Sequence, residues 1–344
     1  MNRRHFLATG AGALAAATSL GRTVGAQRAR QPDSAKLERI AIMTLDFGSL
    51  LKLHTQPASP TRTLEVFDIP EMIADEYGVH NVEFQHEYLA STERTYLQEL
   101  RARLERSKSR MTNLNLEFGP LTISAEDPAA RQQAVDQTRQ WIDHAIVLGC
   151  PRVMINQGSL TEETKTWATA ALRQMGEYGR SKGIQVSVET RLVFGPRPAG
   201  AQPARGTGAA QPQAATGRAA ATPAPGAPAP PAARGAGAAP APRPILTTPP
   251  TWVLLAEVIK NSDTHSTVDL GNVNAQDQGE LHAALRTLLP LTVGNIHTRV
   301  SPAWDLATAL RFMTVNLEYA GLFSIEAYGH AAVRNIYNIL LDTI

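Results

Sequence analysis

Residues 127–189 read DPAARQQAVDQTRQWIDHAIVLGCPRVMINQGSLTEETKTWATAALRQMGEYGRSKGIQVSVE, and the alternation within this stretch decides the fold. Asp127 and Pro128 open a helical pattern in which Trp141, Ile142, Ala145 and Leu148 recur at helical spacing until Gly149 ends it. A short apolar run follows, RVMIN at 152–156; a second helix is expected from Thr161 to Lys182, stopped by Gly183, and IQVSVE at 184–189 is the next strand. Helix, strand, helix, strand without a hairpin turn describes parallel strands joined by crossover helices.

The same unit extends in both directions. Towards the N-terminus lie a strand at 39–45 (RIAIMTL), a helix capped at Asp68 with Pro70 in its first turn and Gly78 at its end, a strand at 79–84 (VHNVEF), a helix at about 92–109 and a strand at 111–117 (MTNLNLE). Towards the C-terminus, STVDL (266–270), VGNIHT (293–298) and LFSIEA (322–327) read as strands, with a short helix near Gln278–Leu289, another at about 303–320 and a closing helix at 331–342. Eight strands separated by helices predict a (β/α)₈ TIM barrel.

Two stretches stand outside this pattern. Residues 1–26 carry three arginines and no acid: Arg3-Arg4-His5-Phe6-Leu7 is a twin-arginine start, an Ala/Gly/Leu-rich run follows, and Val24-Gly25-Ala26 supplies small residues for cleavage after Ala26. A membrane anchor is the alternative, but the apolar run from Phe6 to Leu20 falls short of the roughly 20 residues that span a bilayer. The mature chain is therefore expected in the periplasm or outside the cell, exported by the twin-arginine route, with no stable membrane anchor after cleavage. Residues 194–248 hold 12 of the 23 prolines, five arginines and no acid. Such a run cannot bury enough apolar surface to offset chain entropy, so a disordered Ala/Pro/Gly-rich insert is expected after the fifth strand, within a barrel spanning 37–344.

The composition of all 344 residues, 43% hydrophobic with one cysteine, excludes a disulfide scaffold and a collagen. Setting aside the eight arginines of the two unusual stretches leaves 25 basic residues against 31 acidic ones. A net-acidic core argues against nucleic acid as a partner. The single Cys150 cannot form an internal disulfide, and its apolar helix-to-strand junction places it in the core. Nothing in the sequence fixes an oligomeric state.

Four ionisable residues fall at the ends of consecutive strands: Glu189 in VSVET, Asp269 in TVDLG, His297 in NIHTR and Glu326 in SIEAY. Asp269 and His297 are 28 residues apart and His297 and Glu326 are 29, about one strand–helix unit each. Glu189 and Asp269 are 80 apart, which falls to about 25 without the insert. Any one of them would serve a structural ion pair equally well. Four in register at one end of a barrel, flanked by Val, Ile and Leu, point instead to a single cation that compensates their burial.

The order and local sequences of these four residues, with LGCPRVMI at 148–155 and VEF at 82–84, resemble the xylose isomerase-like TIM barrels of the sugar phosphate isomerase/epimerase superfamily. The resemblance covers roughly 37–193 and 249–344. It implies that Glu189, Asp269, His297 and Glu326 bind one divalent metal, Mn²⁺ preferred, with Mg²⁺, Co²⁺ or Zn²⁺ as variants. It also implies proton transfer beside a substrate carbonyl through an enediolate, with Glu189 and Glu326 as catalytic bases. Glu83 and His86 at the end of the second strand are candidate substrate contacts, as are Arg191 and Arg299, each two residues beyond a proposed ligand. Asn272 stands where the family often has a histidine, and is a candidate contact to a substrate hydroxyl or a turn residue.

The expected activity is a metal-dependent isomerase or epimerase of a small-molecule sugar or keto-sugar; a lyase or hydrolase of keto-glycosides would use the same α-proton abstraction. A DNA-repair nuclease on the same barrel would need more histidines and a basic face, and a non-catalytic sugar-binding barrel would not need both glutamates. No phosphate loop of the G-x-x-x-x-G-K kind is present, which favours an unphosphorylated substrate. Replacing residues 194–248 by a short linker is expected to leave the thermal unfolding midpoint unchanged; a large drop in that midpoint would mean that the insert packs against the barrel.

Overall fold

Strand segments buried on both faces cannot stand at a solvated edge, and a cylinder lined outside by helices satisfies all of them at once. The computed structural model, which describes residues 33–191 and 249–344, closes eight parallel strands in this way. The expected signal segment and the insert lie outside the described residues. Among the described residues no helix is long and apolar enough to cross a membrane.

A helical turn, Ser34–Leu37 (α1), precedes strand Ile40–Met43 (β1). Alternation then continues with Ile69–Tyr77 (α2), Asn81–Gln85 (β2), Arg94–Arg106 (α3), Arg110–Leu116 (β3), Pro128–Leu148 (α4), Arg152–Asn156 (β4), Lys165–Lys182 (α5) and Gln185–Glu189 (β5). The C-terminal half adds Thr251–Ser262 (α6), His265–Thr267 (β6), Gln278–Leu288 (α7), Asn295–Thr298 (β7), Leu306–Arg311 (α8), Leu322–Ile325 (β8) and His330–Thr343 (α9). Neighbours pair in the order β6-β5-β4-β3-β2-β1-β8-β7. β6 and β7 complete the circle through isolated bridges, Ser266 with Thr292 and Asp269 with His297.

Several caps act as their sequence predicts. Asp127 accepts the Ala129 amide at 2.9 Å, and Gly78, Gly149 and Gly183 take left-handed conformations at the ends of α2, α4 and α5. Asp68 stands at the start of α2, but its side chain caps nothing, because its backbone is already helical. Other expectations shift. α5 starts at Lys165, since Thr161 and Thr164 bond each other's amides in a turn first. The helix expected over 303–320 ends at Arg311 and passes into a π-turn over Phe312–Asn316.

Alternate strand positions divide the wall into two faces. Ile40, Ile42, Val82, Phe84, Val153, Ile155, Val186, Val188, Phe323 and Ile325 join the apolar core shared with the helices. The intervening residues are buried and largely polar: Asn81, Glu83, Asn113, Asn115, Ser187, Asn295, His297 and Ser324. Asn295 on β7 donates to Glu83 on β2 at 2.5 Å, a bond that only the barrel interior can accommodate. A register shift between Val82 and Glu83 sets Asn113, rather than Thr112, opposite Glu83.

The start of β5, at the end of the strand opposite Glu189, depends on close packing by α5. A Cβ added at Gly179 would lie 2.6 Å from the Ile184 carbonyl oxygen and 2.7 Å from Val186 Cγ2. Gly179→Ala gains helix propensity of up to ~1 kcal/mol, but the backbone clash costs about 1–3 kcal/mol. Net destabilisation in urea denaturation is the expected outcome; a variant more stable than wild type would show that α5 can move off the strand freely.

Candidate metal centre

Parallel strands bring all their carboxyl ends to one rim, so a polar residue at each end faces the same space. Glu189 closes β5, Asp269 follows β6, His297 lies within β7 and Glu326 follows β8. One ligand atom from each of these four lies within 4.8 Å of the others, and all four residues are buried. His297 Nδ1 stands 2.9 Å from Glu189 Oε1 and 3.1 Å from Glu326 Oε2. Its other nitrogen, Nε2, is 2.8 Å from Glu83 Oε1 on the far side of the ring.

Local turns aim the carboxylates. Asp269 Oδ1 accepts the backbone amides of Gly271 at 2.7 Å and Asn272 at 3.0 Å, while Oδ2 accepts the Asn272 amide at 2.9 Å and Arg299 Nε at 2.8 Å. Gly271 is required there because an added Cβ would lie 2.7 Å from Arg299 Cδ. Arg299 also donates to Glu326 Oε1, and Arg191 pairs with Glu189 Oε2 at 3.0 Å while donating to Glu117 and Asn156. Each glutamate of the quartet thus has one oxygen on an arginine and the other towards His297.

The donor set fits a divalent cation. Three carboxylates and an imidazole nitrogen suit Mn²⁺ or Mg²⁺ and tolerate Co²⁺ or Zn²⁺. Glu326 Oε2 is buried and has no hydrogen-bond partner, although His297 Nδ1 stands 3.1 Å away. Such an oxygen is costly to bury unless a cation satisfies it.

The electrostatics follow from burial and pairing. Burial raises Asp269 to about 6, against the pull of Arg299. Burial would also raise Glu326, but Arg299 and His297 hold it below its ordinary value. Burial acts to lower His297, yet Glu83, Glu189 and Glu326 carry it well above the usual histidine range. Glu83 is the counterpart: burial opposes ionisation, and the adjoining His297 with hydrogen bonds from His297, Ser324 and Asn113 still brings it down to about 2.

Asn272, Arg191 and Arg299, expected as substrate contacts, stand at the quartet and bind its carboxylates. Of the other two expected contacts, Glu83 lies against the His297 ring and His86 beside the end of β3. Glu83 is fully buried against His297 Nε2, the nitrogen opposite the one that faces Glu189 and Glu326. His86 packs edge-on against Phe118 and Trp141, and its Nδ1 accepts the Glu117 amide at 3.1 Å, so it props the end of β3. Three residues at the rim escaped the sequence reading although the same signal, a polar residue ending a strand, marks them. Asp46 after β1 accepts the Ala327 amide at 2.7 Å and so anchors the chain beside Glu326. Glu117 after β3 and Asn156 at the end of β4 hold Arg191.

A sequence profile of the family described as Xylose isomerase-like TIM barrel matches residues 73–195. No curated protein sequence matches the chain. Among solved structures, an L-ribulose 3-epimerase is 14% identical with a TM-score of 0.55, over 88% of this chain and 86% of that one. D-psicose 3-epimerase from Clostridium cellulolyticum H10, solved with D-tagatose, is 12% identical with a TM-score of 0.56, over 89% and 95%. The 3-keto-D-glucoside 4-epimerase from E. coli is 12% identical with a TM-score of 0.55, over 89% and 100%. At these identities the likeness establishes the barrel.

His86 also makes the rim sensitive to acid. Burial holds it down to about 4 in the folded chain, whereas its ordinary value is 6.5. Between those values the unfolded chain binds more protons, so this residue withdraws up to about 3 kcal/mol of stability as pH falls through that window. His86→Gln is expected to lose less stability than wild type between pH ~7 and pH ~4.5 in urea denaturation at each pH. Parallel losses in the two proteins would rule out His86 as the source.

Proposed function

We propose that this chain is a divalent-metal-dependent isomerase or epimerase of a sugar or keto-sugar that works by proton transfer through an enediolate. The observation that carries the reading is the paired arrangement of Glu189 and Glu326. Each presents one carboxylate oxygen to the centre of the quartet while an arginine holds the other. Two carboxylates fixed by arginines on separate strands can serve two sides of one substrate carbon.

A cation held by Glu189, Asp269, His297 and Glu326 would supply Lewis-acid polarisation of a substrate carbonyl and its neighbouring hydroxyl. The chain's own residues do the rest. One glutamate takes the proton α to the carbonyl and the other delivers a proton to the opposite face, giving an epimer; return to the adjacent carbon gives an isomer. Arg191 orients Glu189, while Arg299 orients Glu326 and favours its ionised form. Solved neighbours that are sugar epimerases support the reading. The twin-arginine start at Arg3-Arg4 supports export to the periplasm or beyond, where unphosphorylated sugars are the expected partners.

A specific observation favours the second reading, a lyase or hydrolase of keto-glycosides. Loss of a glycosidic oxygen needs a proton donor as well as a base. Glu117, raised to about 7 by burial despite Arg191 beside it, is a group at this rim suited to hold such a proton near neutral pH. Product analysis separates the two, since epimerisation conserves mass and elimination releases a second molecule.

Glu189→Gln and Glu326→Gln keep the side-chain shape but remove a base, so activity on a turned-over sugar should fall roughly 10²- to 10⁴-fold in either variant. Solvent deuterium should enter at the inverted carbon in the wild-type reaction. Full activity in both variants would leave the carboxylates no role beyond binding.

A further inference from the structure

Beneath the quartet, inside the barrel, Glu83 is the centre of a closed hydrogen-bond set. Its Oε1 accepts from Asn113 Nδ2 at 2.9 Å and lies 2.8 Å from His297 Nε2; its Oε2 accepts from Asn295 Nδ2 at 2.5 Å and from the Ser324 hydroxyl. These partners come from β3, β7 and β8, while Glu83 itself is on β2. The residue has no exposed surface. A carboxylate offers about four acceptor sites, and all four are taken. It has no lone pair to spare for a further donor.

We propose that Glu83 is a positioning residue for His297: its carboxylate holds the imidazole by Nε2 so that Nδ1 is the nitrogen presented to Glu189, Asp269 and Glu326. The inference rests on the reading of that quartet as a metal centre. An imidazole ring has two chemically similar nitrogens, and which one meets a cation is decided by what the other one binds. Here only Nε2 has a dedicated acceptor on the buried side. That acceptor is itself fixed from three strands, so the ring can neither flip nor tilt without breaking the set. Asn113 reaches Glu83 because of the register shift between β2 and β3, which gives the irregularity a purpose at the site. The arrangement also accounts for a full negative charge in the barrel interior, where a packed apolar core would otherwise be favoured.

The test uses the full chain and the metals alone. In wild type loaded with Zn²⁺, a diamagnetic probe, ¹⁵N resonances of the His297 ring are expected to show Nε2 protonated and Nδ1 bound to metal. This needs no variant, so it stands even if a substitution prevents folding. Glu83→Gln introduces an amide that cannot accept from every donor around it. Its Mn²⁺ affinity by titration calorimetry should fall about 10- to 100-fold, the usual effect of losing such an outer partner, with the ring signals no longer confined to one tautomer. Glu83→Asp, which keeps the charge but shortens the reach, should fall between the two. Metal bound through Nε2 in wild type, or unchanged Mn²⁺ affinity and ring signals in Glu83→Gln, would overturn the positioning role while leaving the metal centre intact. Failure of wild type to bind Mn²⁺, Mg²⁺, Co²⁺ or Zn²⁺ at all would overturn both.

Discussion

One hydrogen bond ties the rest of this molecule together: Glu83 on β2 to His297 on β7, through the middle of the barrel. A cylinder of eight short strands needs something at its axis, and bulky aliphatic side chains are the usual filling. Here the axis carries an ion pair with a ring of amides and hydroxyls around it. The apolar residues are assigned instead to the outer face of the wall, against the helices. Fold and chemistry therefore draw on the same interior, since the pair that occupies the axis also orients the histidine of the quartet.

Charge balance governs what surrounds that pair. Burying carboxylates is tolerable only when each is compensated nearby, and Arg191 and Arg299 provide the compensation from positions two residues past Glu189 and His297. The spacing has a simple origin. Successive strand residues alternate between faces, so a residue two further along returns to the interior side, one step closer to the rim. An arginine there can fold back over the carboxylates beneath it. Asn272, three residues past Asp269, reaches its partner differently, through the turn that the Asp269 carboxylate itself organises.

Much of this was legible in the amino-acid order. The period of the helices, their glycine stops and the even spacing of Glu189, Asp269, His297 and Glu326 are local or nearly local signals. They led to the eight strands and to the quartet whose ligand atoms converge. What was not legible was mostly non-local. Glu83 lies 214 positions from His297, and nothing around VEF distinguishes an outer partner from a substrate contact. His86 was equally opaque, since its environment is made by Phe118 and Trp141 from other segments. The helix Thr251–Ser262 went unread because TWVLLAEVI is almost continuously apolar and adjoins the proline-rich run, which hides its period. Tertiary packing also decided the shape of the helix expected over 303–320, whose second half became a π-turn.

The closure between β6 and β7 gives this barrel an unusual joint. Elsewhere neighbouring strands pair as ladders, with one register shift between β2 and β3; here the wall narrows to isolated bridges, one of them between the backbones of Asp269 and His297. The amides of His297 and Leu270 cross this joint, donating to Val268 at 2.8 Å and to the His297 carbonyl at 3.1 Å. Part of the seam of the cylinder and the candidate metal centre are thus the same few residues. Asp269 and His297 belong both to this seam and to the quartet, so whatever draws them together also fastens the cylinder. Exchange of those two amides with solvent then becomes a gauge of how firmly the barrel is shut.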